Sequence, residues 1–451
     1  MNIIIALLIF SLIIIIHELG HFLLAKKNGI FVTEFSLGMG PRIISFVPTK
    51  NGYRFKGLLT QSNLSSTKEW QDNTVYSIKL LPFGGSCMML GEDDNIEDER
   101  AFNKKSVFAR ISVVFAGAFF NFILAFLLAL VVIGLIGIDP PTVVEVSEDS
   151  PAQKAGIIEG DTITSINRER ISISREMAAY LTFNPLSDEP LEITYKRDGI
   201  EHTANLLPEH VETYMLGFSY TPDTSPAIVQ RLYEDYPLHK AGVQLGDTIS
   251  KINGVTIESG KDLGEYFEEN PLSADEIEIT YKTDEVEKTI SVIPILEEGY
   301  VTGLNVNQGR EKTNPLNTIK YSLIEIRYYI ASTIKSLGMF VTGKIGTNEI
   351  AGPVGIVNII GDTYEASRVD GAFYVFLNLA NLTILLSANL GVMNLLPIPA
   401  LDGGRLVFLI LEGVRGKPIP QEKEGFVHFI GMIALMMLMV FVLFNDIRRL
   451  F

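Results

Sequence analysis

The chain has 451 residues, of which 47% are hydrophobic and 20% charged, and its formal net charge is −16 at pH 7. This length predicts about three folding units. A mean hydropathy of +0.25 combined with that much charge excludes both a purely soluble domain and a bare bundle of membrane helices. The single cysteine, Cys87, excludes an intramolecular disulfide and a zinc site of the Cys-rich type.

The negative charge is concentrated in one segment. Residues 142–300 contain 31 acidic and 12 basic side chains, a net charge of −19, whereas the remainder of the chain has a net charge of +3. Because phosphate binding needs clustered Lys and Arg, this segment argues against nucleic acid as a partner. We therefore expect a separate acidic module between apolar regions.

Four apolar segments predict transmembrane helices, because about 20 apolar residues cross a hydrocarbon core of ~30 Å. They are residues 3–25, 107–138, 373–411 and 426–444. A secretory signal peptide is the alternative for the first segment, but a signal peptide has its basic residues before the apolar run. Here Lys26 and Lys27 follow the run, which favours a membrane span.

Basic residues indicate the orientation of the spans. The positive-inside rule places in the cytoplasm the bases that follow the first span and precede the second: Lys26, Lys27, Lys104, Lys105 and Arg110. The N-terminus and the acidic segment are then extracytoplasmic. Four spans return the C-terminus to the extracytoplasmic side. Arg448 and Arg449, at the C-terminus, therefore oppose this orientation, but the bases near the first spans usually determine it.

The acidic segment contains an internal repeat with a spacing of 86 residues. SEDSPAQKAGIIEGDTITSINRERI (147–171) aligns without a gap with YEDYPLHKAGVQLGDTISKINGVTI (233–257). Each copy predicts a short helix ending at Ala-Gly, a tight Gly-Asp turn and an alternating strand. Two units of this size predict tandem globular domains rather than a solenoid. Their pattern resembles PDZ domains of the bacterial, circularly permuted kind.

PDZ domains bind extended peptides by adding a strand to a sheet edge. The resemblance therefore implies peptide C-termini or substrate ectodomains as ligands of the acidic module. The alternative is that the two domains bind no peptide and only cover the space above the membrane as a size filter. Peptide binding and size filtering are compatible with each other.

His17-Glu18-Leu19-Gly20-His21 is an H-E-x-x-H motif inside the first predicted span. Positions i and i+4 share one face of a helix, so both imidazoles can bind one Zn²⁺ ion. Glu18 is offset by one residue, which lets its carboxylate reach the attacking water rather than the metal. Ionisable groups in a membrane span cost roughly 2.5–3.5 kcal/mol each on insertion scales and indicate function by default. A polar cluster without a metal is the alternative.

A catalytic zinc needs a further protein ligand. The run NLLPIPALDGG (394–404), in the third apolar segment, contains a candidate, Asp402. Pro397 and Pro399 cannot continue a regular helix, and the two glycines let another backbone come close. Broken backbone at membrane depth is tolerated only where protein or water satisfies it, and a metal site is such a place. Two His and one Asp then complete a catalytic zinc set.

HELGH in a first span together with NLLPIPALDGG in a later one resembles the site-2 protease family of intramembrane zinc metalloproteases. The resemblance is greatest to the bacterial regulator of sigma-E protease group, which carries PDZ domains between its second and third spans. FSLGMGP (35–41), KLLPFGGSCMMLGED (79–93) and AGPVGI (351–356) follow in family order, so the resemblance covers nearly the whole chain. It implies a bacterial inner or plasma membrane protein whose active site lies toward the cytoplasmic side.

The resemblance also implies roles for individual residues. The two motif histidines and Asp402 would bind zinc, and Glu18 would act as general base. Asn394, with the two prolines that follow it, would contact the substrate backbone. Gly84 and Gly85 would belong to a membrane-dipping β-element that adds a strand to the substrate, for which an ordinary cytoplasmic hairpin is the alternative. The implied substrates are single-span membrane proteins, either anti-sigma factors or remnant signal peptides.

Some segments depart from the family pattern. Residues 86–88 replace an aromatic residue and a Lys, Ala118 replaces a Pro, and residues 48–73 are longer and more polar than the usual hairpin. These positions concern substrate handling rather than the metal. Residues 315–345 have apolar side chains at helical spacing. They predict an amphipathic helix, which lies on the outer leaflet or braces the PDZ pair against the membrane, or else a plain linker helix.

The predicted fold is a polytopic α-helical membrane protein with about four transmembrane helices, a membrane-associated β-hairpin and two inserted extracytoplasmic α+β PDZ domains. The predicted boundaries are 1–138 for the N-terminal membrane core, with the hairpin in 31–100, then 142–222 and 223–300 for the PDZ domains, 301–370 for linker helices and 371–451 for the C-terminal membrane core. The predicted function is hydrolysis of peptide bonds within transmembrane segments, with Zn²⁺ as cofactor. The predicted partners include membrane lipid, and the PDZ domains are predicted to filter substrates by size.

Two other classes of function use the same residues differently. A zinc or proton transporter would use the metal ligands as a transit site, but transporters usually show inverted membrane repeats, and only the acidic module repeats here. A non-catalytic scaffold that displays PDZ domains would leave the metal ligands without a purpose.

Overall fold

The computed structural model describes residues 2–49, 52–58, 72–92, 94–223, 225–283, 286–307, 309–344, 346 and 351–448. The chain forms two compact units, one made of residues 1–138 with 310–451 and the other of residues 139–309. The predicted acidic module lies within the second unit.

The helices are, in chain order, α1 (Asn2–Lys27), α2 (Val107–Ile136), α3 (Pro151–Lys154), α4 (Ser174–Phe183), α5 (Pro237–Lys240), α6 (Gly260–Glu269), α7 (Pro315–Val341), α8 (Pro353–Arg368), α9 (Ala372–Leu395), α10 (Asp402–Arg415) and α11 (Gln421–Arg448). The strands are β1 (Val32–Thr49), β2 (Gly52–Gly57), β3 (Val75–Met89), β4 (Val143–Val146), β5 (Thr162–Ile166), β6 (Glu169–Arg170), β7 (Leu191–Arg197), β8 (Ile200–Leu206), β9 (Glu209–Met215), β10 (Phe218–Tyr220), β11 (Val229–Leu232), β12 (Thr248–Ile252), β13 (Val255–Thr256), β14 (Ile277–Thr283), β15 (Val286–Val292), β16 (Ile295–Val301) and β17 (Leu304–Val306).

Within the described ranges, four helices are long and apolar enough to cross a membrane: α1, α2, α9 and α11. Three of the predicted apolar segments are each one helix, whereas the segment 373–411 is divided between two. α9 ends at Leu395 and α10 begins at Asp402. The break follows from Pro397 and Pro399, which lack the backbone N–H that a helix interior requires.

α1 and α9 both pack against α2, because small residues line the contacts. A Cβ atom added at Gly20 of α1 would lie 2.4 Å from the carbonyl oxygen of Ala116. A Cβ atom added at Gly391 of α9 would lie 3.2 Å from the carbonyl oxygen of Ala118. These close approaches bring the backbones of all three helices together at the level of the H-E-x-x-H motif.

α7, predicted as an amphipathic or linker helix, packs against helices of the membrane unit. Ile326, with the partly buried Tyr329 and Ile330, shares a core cluster with Ala125 and Ala129 of α2. The apolar side of α7 is thus covered by protein at these positions.

The N-terminus of α8 is capped by a buried carboxylate from α11. Asp446 accepts hydrogen bonds from the backbone N–H groups of Gly352, Val354 and Gly355 at 3.0, 3.0 and 2.9 Å. These are donors that the start of a helix leaves unpaired, and the positive end of the helix dipole favours an acidic partner there. The end of α11 is thereby held to the AGPVGI segment.

The first unit contains a three-stranded sheet in the order β2-β1-β3. β1 and β3 are bent, and β2 forms a hairpin with the end of β1. Residues 34–37 of β1 pair with both 75–78 and 85–88 of β3. Residues 44–46 of β1 pair with the first of these β3 segments and, on their other side, with β2. β3 reverses between its two halves, where Gly84 has a φ of 82°. Gly84 and Gly85, which the resemblance assigns to a β-element, lie at this reversal.

The second unit contains two four-stranded sheets with the same order, β6-β5-β7-β8 and β13-β12-β14-β15. In each copy the short helix is followed by the predicted turn, in which Gly160 and Gly246 both have a φ of 89°. The sequence repeat therefore corresponds to a repeated local structure.

The last strand of each repeat pairs with the first strand of the other repeat, and each pair forms a separate two-stranded sheet. β17, at the end of the second repeat, pairs with β4 at the start of the first, with Leu304 opposite Val146. β10, at the end of the first repeat, pairs with β11 of the second, with Phe218 opposite Leu232. β9 and β16, which precede β10 and β17 in the chain, pair with each other in a two-stranded ribbon. A division of the chain at residue 222 separates β10 from its partner β11. The domain boundaries stay a prediction.

Candidate active site

α1 places two histidines on the face that contacts α2. His17 and His21 are one helical turn apart, and each has only 8% of its surface exposed. Gly20 allows this close contact because its missing side chain leaves room for the α2 backbone. The local sequence thus buries two imidazoles inside a predominantly apolar helix.

Asp402 completes a three-residue cluster with these histidines. Its Oδ2 atom lies 3.2 Å from Nε2 of His17 and 3.4 Å from Nε2 of His21. The two Nε2 atoms are 3.1 Å apart. Asp402 is the first residue of α10, so the proline-broken segment before it brings the carboxylate to α1. The structure therefore brings together all three residues predicted as metal ligands.

Neighbouring groups orient the two imidazoles. Nδ1 of His21 lies 2.9 Å from the carbonyl oxygen of Val113, so this nitrogen donates its proton and Nε2 keeps a lone pair. Nδ1 of His17 lies 3.3 Å from the side-chain nitrogen of Asn121, whose Oδ1 is buried without a hydrogen-bond partner among the described residues. A flip of this amide would let Oδ1 of Asn121 accept a hydrogen bond from Nδ1–H of His17. Both Nε2 lone pairs then face the centre of the cluster.

The cluster has the properties of a zinc site. Oδ2 of Asp402 is buried and, within the part of the chain that is described, accepts no hydrogen bond. A buried carboxylate oxygen and two imidazole nitrogens that face one another need a cation between them. Two nitrogens and one carboxylate oxygen are ligands of catalytic zinc sites, which leave the remaining position open.

Gly117 of α2 forms the floor of the cluster. A Cβ atom added there would lie 2.4 Å from Nε2 of His21 and 2.6 Å from Cε1 of His17. Sequence reasoning missed this residue, because one glycine in an apolar helix does not show which helix will pack against it. The segment AGAFFN (116–121), in which Ala118 stands where the family pattern has a Pro, is the signal that could have identified it.

Glu18 lies beside β3. A Cβ atom added at Gly85 would be 3.3 Å from Cγ of Glu18 and 3.1 Å from the carbonyl oxygen of Ser36. A larger residue at this position would push β3 away from the motif helix. Gly84 does not contact Glu18 in this way, since a Cβ atom added at Gly84 would meet the side chain of Met39 at 2.9 Å.

The other predicted substrate residues differ in their positions. Nδ2 of Asn394 lies 3.4 Å from Nδ1 of His17, next to the cluster. Pro399 packs against α11, where a Cβ atom added at Gly431 would lie 2.4 Å from the proline Cβ. Pro397 belongs to the break between α9 and α10. Asn394 is thus at the site, whereas the two prolines shape the segment that carries Asp402.

An H-E-x-x-H helix and a carboxylate from a later helix, in a chain whose described residues include four candidate membrane spans, are typical of a membrane metallopeptidase. The model of peptidase family M50 matches residues 5–61 and 57–438. The chain belongs to this family, and the predicted resemblance is confirmed. It is a zinc metalloprotease of the site-2 type, and Zn²⁺ is its cofactor.

Curated relatives are similar over their full lengths. "Zinc metalloprotease RasP" of Bacillus licheniformis is 32% identical over 478 residues, covering 100% of both chains. "Regulator of sigma-W protease RasP" of Bacillus subtilis is 30% identical, covering 99% of this chain and 98% of the relative. "Regulator of sigma E protease" of Haemophilus influenzae is 30% identical, covering 98% and 97%.

Proposed function

We propose that this protein cleaves peptide bonds inside transmembrane segments of single-span membrane proteins, and that His17, His21 and Asp402 hold its zinc. The observation that carries the proposal is the convergence of these three ligand atoms beside the candidate spans α1 and α2, with a buried Asp402 oxygen that lacks a hydrogen-bond donor in the described chain. A substrate that reaches this cluster must itself lie at the depth of the spans.

The chemistry is divided between the cofactor and the chain. Bound zinc polarises a carbonyl oxygen and lowers the pKa of water toward neutrality. Glu18 accepts a proton from the attacking water and passes it to the leaving amine. The amide of Asn394, next to His17, donates a hydrogen bond to the substrate backbone.

The substrate binds as an added strand along β3. Residues 85–88 pair on one side with residues 34–37, and no strand within the described ranges pairs with their other side. A helix hides its peptide bonds in internal hydrogen bonds, so cleavage requires an extended substrate whose freed N–H and C=O groups are satisfied by strand addition. Gly85 holds this edge next to Glu18.

The proposed substrates are anti-sigma factors or remnant signal peptides. Two relatives are named as regulators of sigma-W and sigma-E. Proteins that restrain sigma factors from the membrane are single-span substrates of the class that an intramembrane site accepts.

Metal content and cleavage test the proposal together. His17→Ala and Asp402→Ala should each lose most of the roughly one zinc that a catalytic site holds per chain, because each removes one of three ligands. Purified full-length variants are compared by elemental analysis and by cleavage of a model single-span substrate. His210→Ala, an exposed histidine in the second unit, is the matched control and should keep both zinc and activity. Stoichiometric zinc in both ligand variants would disprove the assignment.

We propose that residues 139–309 lie outside the cytoplasm, on the basis of the bases around the first two spans. In a Cys87→Ser background, a cysteine at the exposed position Glu201 should react with an impermeant maleimide added to intact bacterial cells. A cysteine at the exposed position Glu99 should react only after lysis. The opposite labelling pattern would invert the orientation.

We propose that the acidic repeats have PDZ folds and act as a size filter. A clean test removes residues 139–309 as a whole, because β17, after the second repeat, pairs with β4 at the start of the first. The ends left behind are already adjacent, since Ile138 and Glu311 exchange backbone hydrogen bonds of 2.8 and 2.7 Å. A short Gly-Ser linker can therefore close the chain.

The deletion should let the enzyme cut substrates that still carry large ectodomains and should change rates on trimmed substrates little. The zinc ligands and Glu18 lie outside the deleted segment, which is the physical reason for the second expectation. Slower cleavage of trimmed substrates, with bulky ones still uncut, would instead indicate that the repeats recruit peptide C-termini. Unchanged zinc content confirms that the remaining unit is folded.

A further inference from the structure

The segment between α9 and α10, residues 396–401, folds back on the first turn of α10. A Cβ atom added at Gly404 would lie 2.5 Å from the carbonyl oxygen of Ile398. The N–H group of Leu401 donates a hydrogen bond to the same carbonyl oxygen at 3.2 Å. Asp402 follows Leu401 directly, so the path of residues 396–401 determines where this metal ligand lies. We call these six residues the break segment.

The break segment contains a strained residue two positions before Asp402. Ala400 has a φ of 77°, in the left-handed region. The Cβ atom of an L-residue makes this conformation unfavourable, so the surrounding structure must hold it. The N–H group of Ala400 donates a hydrogen bond of 2.8 Å to Nδ1 of His428 on α11. This bond is a contact that holds the left-handed conformation from outside the break segment.

The start of α11 turns one face toward the break segment. Within residues 422–431, only Glu424, His428 and Gly431 are not exposed. Their spacings of four and three residues place them on one side of the helix. A Cβ atom added at Gly431 would lie 2.6 Å from the carbonyl oxygen of Pro399. The backbone of α11 thus lies directly against the residue that precedes Ala400.

Two neighbours fix the orientation of the His428 imidazole. Because Nδ1 accepts the hydrogen bond from Ala400, the neutral ring carries its proton on Nε2. Nε2 lies 3.8 Å from Oε1 of Glu424, one turn earlier in the helix. The imidazole centroid is 5.5 Å from the ring centroid of Phe408 in α10. The carboxylate and the aromatic ring together keep the Nδ1 lone pair directed at the break segment.

We propose that His428 is a positioning residue for the metal site. Its Nδ1 holds Ala400 in the left-handed conformation and thereby fixes the carboxylate of Asp402 opposite the two motif histidines. The three clustered ligands lie on α1 and α10, so α11 acts on the metal site through the break segment and not as a source of ligands. The inference rests on the ligand set proposed above.

Two substitutions of the same shape separate the hydrogen bond from packing. Asparagine and leucine both branch at Cγ, but only asparagine offers an acceptor near the position of Nδ1. His428→Asn and His428→Leu are purified as full-length proteins in detergent beside the wild type. Zinc affinity is measured by competition with a chelator. The visible absorption of the cobalt-loaded proteins reports the coordination geometry, and thermal unfolding of the metal-free proteins checks the fold.

His428→Leu should bind zinc about tenfold more weakly and change the cobalt spectrum. Groups that orient metal ligands contribute about 10–100-fold in metal affinity, and His428 acts through the backbone, which favours the lower end of that range. His428→Asn should keep the wild-type spectrum and an affinity within a few-fold of wild type. Phe429→Leu, at the exposed next position, is the matched control and should match wild type in both measurements.

Equal zinc affinities and equal cobalt spectra in His428→Asn and His428→Leu would overturn the inference. If both variants match wild type, Asp402 does not depend on His428, and if both are weakened equally, only the volume of the ring matters. His428→Ala, which also lacks an acceptor, replaces His428→Leu if the leucine prevents folding. Absence of zinc from the wild type would contradict the ligand set itself, so the two failures are distinguishable.

Discussion

Replacing Glu18 by Gln is expected to leave the zinc in place and to remove proteolysis. Glutamine has the shape of glutamate but no basic oxygen, so it cannot take the proton from the attacking water. Loss of a general base costs about 10²–10⁴-fold in rate. Glu18 is not one of the three clustered ligands, so zinc content should stay at the wild-type level.

The measurement for this variant combines elemental analysis with single-turnover cleavage of a transmembrane substrate. Glu99→Gln, at an exposed position of the first unit, is the matched control and should behave as wild type. Cleavage by Glu18→Gln within a few-fold of the wild-type rate would end the general-base assignment. Loss of zinc together with activity would place Glu18 among the ligands.

The metal cluster was predictable from sequence because its residue types are rare in apolar surroundings. His17 and His21 share a helix face through their spacing, and Asp402 follows a run whose prolines predict a broken helix. The structure brings these three side chains together although Asp402 is far from the motif in sequence. Asn121 and Gly117 were not identified, since their roles depend on how α2 packs against α1.

The strand exchange in the second unit could not be predicted from the repeat. The two copies align without a gap, so β10 and β17 occupy equivalent positions, and the repeat does not show whether each pairs with β4 or with β11. That pairing depends on the path of the chain between the copies, here the ribbon of β9 and β16. Sequence periodicity predicts the local elements but contains no information about this pairing.

The bent sheet of the first unit shows a similar limit. The resemblance places Gly84 and Gly85 in a β-element, and both lie in β3. The pairing of residues 34–37 with both halves of β3 requires bulges and register shifts, which alternation does not encode. The position of Gly85 beside Glu18 follows from this pairing, and so it became visible only in the structure.

Replacing Gly117 by Ala is expected to abolish zinc binding and cleavage although Gly117 binds nothing itself. The added methyl group would lie 2.4 Å from Nε2 of His21 and 2.6 Å from Cε1 of His17, so both imidazoles must move or α2 must separate from α1. Either movement displaces two ligand positions at once. Loss of a group that orients metal ligands costs about 10–100-fold in metal affinity, and displacement of two ligands should exceed that range.

Gly134 of the same helix is the matched control for this variant. A Cβ atom added there meets nothing within 4 Å, so Gly134→Ala should keep full zinc and activity. It should also gain about 0.5–1 kcal/mol in stability, since alanine loses less conformational entropy than glycine in a helix. Zinc affinity is measured by competition with a chelator, and stability by thermal unfolding in detergent. Wild-type zinc affinity in Gly117→Ala would show that the imidazoles do not rest on α2, and the ligand geometry proposed for the cluster would have to be abandoned.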